Sequence, residues 1–304
     1  MSQPSPADSS VACVVVAFHR PESLGRLLGQ LSDAAVDVIV VNVEADADVA
    51  AVARDVTVVD VATNVGYAAA VNIGVGASRS DVVLFTNDDV VLTGLDVAML
   101  ADAVREGADV AVPAVVDGLG NREPTISALT SPRTFASEWL VAPDHRPAWW
   151  FGRTREKWRE PKTRESIEAA AAVLVATRRR ILLDFPLPEA YFLYWEEQEW
   201  FWRLRRASKV VIFCPDVVIR HVGGRSDVRA DKSRLLSRNA VRYLRRTQGR
   251  GAAARGWPIV ILWNLRLLMI DAVRAMRGDR SSRARLRARV VGVGAAMVAV
   301  TEIL

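Results

Sequence analysis

Apolar runs of strand length punctuate the first 116 residues, and helical spacing fills the intervals between them. ACVVVAF (12–18) is one such run, and HRPESLGRLLGQL follows it. There Leu24, Leu27, Leu28 and Leu31 fall at helical spacing and Pro21 suits a helix start. VDVIVVNV (36–43) and DVTVVDV (55–61) predict a second and a third strand. GYAAAVNIGVGAS (66–78) predicts a helix of small residues, and DVVLFT (81–86) a fourth strand. LDVAMLADAVRE (95–106) predicts another helix, and ADVAVPAVV (108–116) a fifth strand. Strands that read as unbroken apolar runs and alternate with helices imply an α/β fold whose mostly parallel central sheet is covered on both faces. In such sheets ligands bind beyond the carboxyl ends of the strands.

The alternation lapses over residues 117–165, where prolines and the cluster RPAWWFGRTREKWREP predict a long surface excursion facing substrate. SIEAAAAVLVATRRRIL (166–182) resumes with an apolar strand and a basic helix start. YFLYWEEQEWFWRLRRA (191–207) runs from acidic to basic, as a helix matched to its own macrodipole does. KVVIFCPDVVIRHVGG (209–224) predicts one or two short strands ending at His221.

Charge changes the picture at the C-terminal end. Residues 225–289 hold 18 Lys and Arg against 4 Asp and Glu, a local +14 in a 304-residue chain of net +5, so the remainder carries −9. An acidic body with a basic extension suggests separate tasks for the two regions. No zinc-finger or RNP-type motif is present, and nucleic acid is not an expected partner. WPIVILWNLRLLMIDAV (257–273) is interrupted by Asn264, Arg266 and Asp271, and VVGVGAAMVAV (290–300) has eleven residues. Neither reaches the ~20 apolar residues of a membrane span. Two readings stay open for residues 255–304: a peripheral membrane contact with Trp257 and Trp263 at headgroup level, or a helical hairpin packed on the body. Cys13 and Cys214 sit in apolar runs, which predicts buried, reduced thiols. MSQPSPADSS has neither a basic nor an apolar leader region, which predicts a short polar tail and a cytoplasmic location.

Candidate chemistry concentrates in three places. Asp88 and Asp89 follow the fourth strand, where unpaired carboxylates are costly. A divalent cation holding a diphosphate would explain both; a helix N-cap formed by Thr86, Asn87 or Asp88 would explain one. Glu196, Glu197 and Glu199 crowd three acids into four residues. Mutual repulsion predicts a raised pKa and a general base among them, with Glu199 assigned to an ion pair with Arg203 at i+4. His221, at a strand end, is a metal ligand if a metal is present and a hydrogen-bonded structural histidine otherwise.

In series, these motifs resemble those of family 2 glycosyltransferases of the GT-A fold, especially rhamnosyltransferase-like members of bacterial cell-envelope assembly. VVVAFHRPESLGRLLGQL looks like the opening strand, nucleotide-facing turn and first helix, and NVGYAAAVNIGVGAS like the Asn-x-Gly segments. LFTNDDV resembles the acidic DXD-type metal motif, YFLYWEEQEWFWRLRRAS the aromatic–acidic catalytic segment, and DVVIRHVGGRS the segment whose His follows the last strand. The resemblance covers about residues 11–226 and implies a polar tail over 1–10. It implies a GT-A domain over 11–226, with a nucleotide-binding half (11–116) and an acceptor half (117–226), and leaves a C-terminal helical basic extension over 227–304. It implies inverting transfer of a sugar from a nucleotide-diphospho-sugar, with Mg²⁺ or Mn²⁺ held by Asp89 and His221. Glu197 would be the base, assisted by Glu196. Phe18, Arg20, Glu22, Asn42, Asn64, Gly66, Tyr67, Asn72 and Asp88 would line the donor pocket. The first expectation is rhamnose from dTDP-rhamnose moved to a lipid-linked or envelope-polysaccharide acceptor at the inner face of the membrane. UDP-galactofuranose or another UDP-hexose is the alternative donor, and a homodimer the alternative use of the C-terminal helices. Asn42 stands where the family has an acid, Glu197 where it has Asp, and SIEAAAA where it often has a Gly-rich segment. Those departures also admit a non-catalytic nucleotide-sugar-binding paralogue.

Overall fold

A computed structural model describes residues 10–140, 161–222 and 230–303 of the chain. Of the expected excursion over residues 117–165, residues 141–160 lie outside the described residues, as does the Arg225–Ser226 pair. The chain divides into two compact units, one of residues 1–127, 158–192 and 200–225, the other of 128–157, 193–199 and 226–304.

The first unit opens with β1 (Val11–Ala17), α1 (Pro21–Leu31), β2 (Asp37–Val43), α2 (Ala47–Val52), β3 (Thr57–Val61), α3 (Tyr67–Ala77) and β4 (Val82–Asn87). It continues through β5 (Val90–Val91), α4 (Gly94–Arg105), β6 (Val110–Asp117), β7 (Arg122–Glu123) and β8 (Ile126–Ser127). After the second unit's α5 (Pro132–Leu140) come β9 (Glu165–Ile167), β10 (Ala169–Ala170), β11 (Leu174–Arg178) and α6 (Arg179–Asp184). Helix α7 (Glu196–Arg206) precedes β12 (Val211–His221). Among the described residues the main sheet runs β3-β2-β1-β4-β11-β6-β12-β5, with β7 beside β6 and β9 beside β12. Strands β3, β2, β1 and β4 are mutually parallel, as are β6 and β12.

The expected α/β fold is present, with one feature the apolar pattern did not carry. Strand β11 runs antiparallel between β4 and β6, because a short apolar run encodes burial and not direction. The strands are buried on both faces, which is why their apolar runs are continuous; Val14, Val40, Leu84 and Val175 are completely enclosed. Gly74 on α3 lets that helix lie close over the sheet, since a Cβ there would stand 2.3 Å from Val14. The paired register brings Ala17 opposite Asn42, Asn42 opposite Asp60, and Val16 opposite Asn87. The carboxyl ends of four parallel strands therefore open along one edge, and the loops that follow them share it.

The second unit is helical: α5, the first turn of α7, then α8 (Ala230–Gln248), α9 (Arg250–Met276), α10 (Arg280–Val298) and a 3₁₀ turn over Ala299–Glu302. Its charges are internally matched in part. Asp271 accepts from Arg285 Nη2 at 3.0 Å and Arg289 Nε at 2.7 Å, and Glu302 from Arg242 Nη2 at 2.9 Å. Among the described residues no helix is long and apolar enough to cross a membrane.

Candidate active site

The cap reading of the acid pair fails on local geometry. Helix α4 is capped by Thr93, whose hydroxyl accepts from Asp96 N–H while the Asp96 carboxylate accepts from Thr93 N–H. Asp88 and Asp89 are therefore free for another role, in the turn between β4 and β5. The Asp88 carboxylate accepts from Phe18 N–H at 3.2 Å, which ties the acidic turn to the β1–α1 turn. Burial pushes the Asp88 carboxyl up to about 6.

Asp89 lies against Arg20 and His221. Arg20 Nη1 donates to Asp89 Oδ2 at 2.6 Å, and His221 Nε2 stands 3.4 Å from Asp89 Oδ1. Backbone pairing sets that approach: β5 runs antiparallel to the end of β12, with His221 opposite Val90, and Val222 N–H donates to the Asp89 carbonyl at 2.8 Å. Burial alone would raise the Asp89 carboxyl, but His221 and Arg20 outweigh it and hold it below the usual carboxylate range. Burial would likewise lower His221; Asp89 and Glu123 outweigh it and raise the imidazole. Glu123 belongs to no sequence motif. It lies on the two-residue strand β7, and its Oε2 is 3.0 Å from His221 Nδ1.

These residues fit a divalent cation. Asp89 Oδ1 is buried with no donor nearer than His221 Nε2 at 3.4 Å, and that is the ring nitrogen not held by Glu123. A carboxylate on the far ring nitrogen is the usual support of a metal-binding histidine. Among the described residues no group of three or more His, Cys, Asp or Glu forms a cage. Two protein ligands, with the remaining positions left to phosphate oxygens and water, is the way Mg²⁺ is commonly held beside a diphosphate.

The other residues expected to line a donor pocket divide into two kinds. Phe18 is exposed at the strand-end edge, and Glu22 is exposed in the first turn of α1. Asn64 Oδ1 accepts from Gly66 N–H at 3.1 Å, shaping the turn before α3. Tyr67 N–H donates to Phe192 O at 3.1 Å and its hydroxyl to Ala172 O at 3.4 Å. Asn72 is committed to structure: it donates to Leu187 O and Glu189 and accepts from Leu187 N–H. Asn42 is committed as well. It is fully buried, donating to Asp60 Oδ1 at 2.7 Å and Asp46 O at 3.0 Å while accepting from Asp46 N–H. Both amide protons are thus spent inside the fold. At the rim of this turn His19 bridges Glu44 and Asp46, at 2.9 and 2.5 Å, and both carboxylates raise the imidazole.

Gly66 is required where it stands. Its φ is +84°, and a Cβ would lie 2.3 Å from the Phe192 carbonyl oxygen. Gly66→Ala is expected to destabilise the fold by about 3 kcal/mol, combining a left-handed backbone with a backbone clash. Chemical denaturation measures it; a change below about 1 kcal/mol would mean that the turn relaxes freely.

The second unit holds the carboxylate pair. Tyr194 and Trp195 both have positive φ, 68° and 78°, immediately before α7. Bulky residues adopt that conformation only when their surroundings enforce it. Asn239 of α8 supplies part of the enforcement, donating through Nδ2 to Leu193 O at 3.0 Å and Tyr194 O at 3.2 Å. Trp195 donates to Leu236 O at 3.1 Å and packs its ring 5.3 Å from Tyr243 and 5.9 Å from Phe135. Glu199 forms a two-pronged pair with Arg246, at 2.7 and 2.9 Å. That replaces the expected local partner Arg203, which donates to Pro186 O. Glu196 is buried with Oε2 unpartnered, and Glu197 beside it is half-buried. Burial and the charge of Glu197 raise Glu196 well above the usual carboxylate range, and burial raises Glu197. A carboxylate of raised pKa is a better proton acceptor, the property a general base needs.

The family model for glycosyl transferase family 2 matches residues 12–178, more than half of the chain. The chain belongs to family 2 glycosyltransferases. Its mixed α/β architecture, with a large, mostly parallel sheet and C-terminal helices, is that of the GT-A fold. A comparison with curated proteins finds no match. The matched stretch of this glycosyltransferase contains Asp88, Asp89 and Glu123 and ends before Glu196, Glu197 and His221. Family membership makes sugar transfer from a nucleotide-sugar to an acceptor its general reaction.

Proposed function

We propose that the protein is a metal-dependent, inverting glycosyltransferase acting on a lipid-linked or envelope-polysaccharide acceptor, with dTDP-rhamnose as the first donor to test. The observation that carries the reading is Asp89, whose orphaned oxygen faces His221 while Arg20 neutralises the other one. In this reading the cationic Arg20 side chain and the Phe18 turn receive the diphosphate end of the donor. Asp89 and His221 hold Mg²⁺ or Mn²⁺, and Glu123 fixes the ring of His221. When bound, the ion supplies Lewis-acid neutralisation of charge on the leaving diphosphate.

Glu197 takes the proton from the acceptor hydroxyl. That oxygen attacks the anomeric carbon from the face opposite the diphosphate, and the bond to the diphosphate breaks with its electron pair leaving on the nucleotide. The product has inverted configuration, and the proton rests on Glu197 until solvent removes it. Glu196, whose carboxyl burial and its neighbour's charge raise well above the usual range, assists by orienting the base.

Calorimetric titration with dTDP-rhamnose, UDP-galactofuranose and UDP-hexoses, with and without Mn²⁺, tests the reading. Binding of one donor only in the presence of metal is the expected result. The commitment of Asn42 to internal hydrogen bonds supports a second reading, a non-catalytic scaffold protein that retained the fold. Absence of binding to every donor by a folded sample would favour it.

A further inference from the structure

Helix α9 is packed with its chemistry reversed. The side it turns into the second unit carries Gly256, Val260, Asn264, Asp271 and Ala275, all buried. The side it turns outward carries Leu262, Leu265, Met269, Val273 and Met276, of which Met269 is 66% and Met276 78% exposed. Spacings of three and four residues place those five on one stripe, about 21 Å long at 1.5 Å per residue. The stripe is flanked by half-buried Ile259, Ile261, Leu268 and Ile270. A helix on a water-soluble body buries its large apolar side chains and exposes its polar ones. Here the large apolar residues face out, and polar pairs join the helices inside.

Those inner joints are specific. Asn264 and Ser237 of α8 exchange hydrogen bonds at 3.0 and 3.2 Å. Gly292 of α10 admits the Asn264 side chain, since a Cβ there would lie 2.5 Å from Asn264 Oδ1. Gly256 admits Leu244 in the same way, at 2.1 Å. Close contact through small residues with polar joints is how helices associate when lipid bathes their outer faces.

We infer that the outer face of α9 docks on an anionic lipid bilayer, lying in the interface with Leu262, Leu265, Met269, Val273 and Met276 among the acyl chains. Charge selects this occupant over a second copy of the chain. Arg255, Arg266 and Arg277 border the stripe at spacings of three, four or seven residues, and among the described residues none has a carboxylate partner. Two copies meeting through this face would oppose arginine to arginine, whereas anionic headgroups neutralise them. The helix falls short of a span, so it rests in the surface layer. The inference stands apart from the sugar-transfer reading, because the experiment below reads the face without donor or acceptor.

Flotation of the full-length protein with vesicles of phosphatidylcholine, alone or mixed with phosphatidylglycerol, tests it. The protein is expected to float with the mixed vesicles and to be partly released by high salt. A triple variant, Leu262→Gln, Leu265→Gln and Met269→Gln, should bind about 100-fold more weakly with an unchanged circular dichroism spectrum. A double variant, Arg255→Glu and Arg277→Glu, should lose the preference for anionic vesicles and provides a second reading should the first variant fold poorly. Failure of the wild type to float with either vesicle overturns the inference. So does undiminished flotation of a folded triple variant, or equal binding to neutral and anionic vesicles. A wild-type dimer that ignores vesicles and that the triple variant converts to monomer would assign the face to a second copy.

Discussion

Glu197→Gln is expected to reduce turnover by about 10²–10⁴-fold, the span of a lost general base, while donor affinity changes by less than about twofold. The substitution keeps the shape of the side chain and removes its ability to accept a proton. Three features make Glu197 the sensitive position. It lies in the first turn of α7, one residue beyond two residues held in left-handed backbone. Burial raises its pKa, so it accepts a proton more readily than an exposed glutamate. Its neighbour Glu196 is more deeply buried and is raised in part by the charge of Glu197, so Glu197 is the member of the pair that carries the charge. The pH dependence follows in sign. A base works only when deprotonated, so activity falls as pH drops through its folded-state pKa. That limb should lie above the ordinary glutamate value of about 4.3 and vanish from the residual rate of Glu197→Gln. Turnover is measured by transfer of labelled sugar. Activity retained with an unchanged limb would place the base elsewhere. Glu196→Gln should have a smaller effect and leave the limb in place, because burial, and not the charge of Glu196, raises Glu197.

The sheet was legible where burial on both faces wrote continuous apolar runs, which is why β1 to β4 and β6 fall within a few residues of their expected positions. Elements of two or three residues, such as β5 and β7, are too short to carry a period. That cost the reading Glu123, a residue with no motif that reaches His221 only because β7 folds back on β6. The acid pair and His221 could be read because their residue types are unusual at strand ends. Their neighbour Arg20 could be placed in the pocket, but not paired with Asp89 across 69 positions. Asn239 was hidden differently, in a basic helix whose composition suggests a solvated surface although it holds the turn before the carboxylates. Helix α9 was readable as an apolar helix. Its orientation was not, because the usual rule that polar positions face outward is reversed at Asn264 and Asp271.

Asp89→Asn is expected to weaken donor binding by about 100-fold and to abolish its dependence on Mg²⁺ or Mn²⁺, with little effect on the fold. The amide keeps a weak oxygen donor but loses the charge that a divalent cation requires. The cost to stability is small because Arg20 is half exposed and can be solvated once its partner is neutral. His221 titrates in the same direction: without the Asp89 charge its pKa falls, although Glu123 still holds Nδ1. Manganese binding followed by electron paramagnetic resonance separates loss of the ion from loss of the nucleotide. Glu123→Gln is the complementary variant, since it leaves Asp89 and Arg20 in place and disturbs only the support of the histidine. It should weaken Mn²⁺ by about 10–100-fold without removing it. If Asp89→Asn retains metal-dependent donor binding, then Asp89 is the anionic half of an ion pair with Arg20 and the ion is held elsewhere. If both variants lose Mn²⁺ in the expected order, the short strand β7 is part of the metal site, and the two acids after β4 owe their burial to the ion that Asp89 and His221 hold.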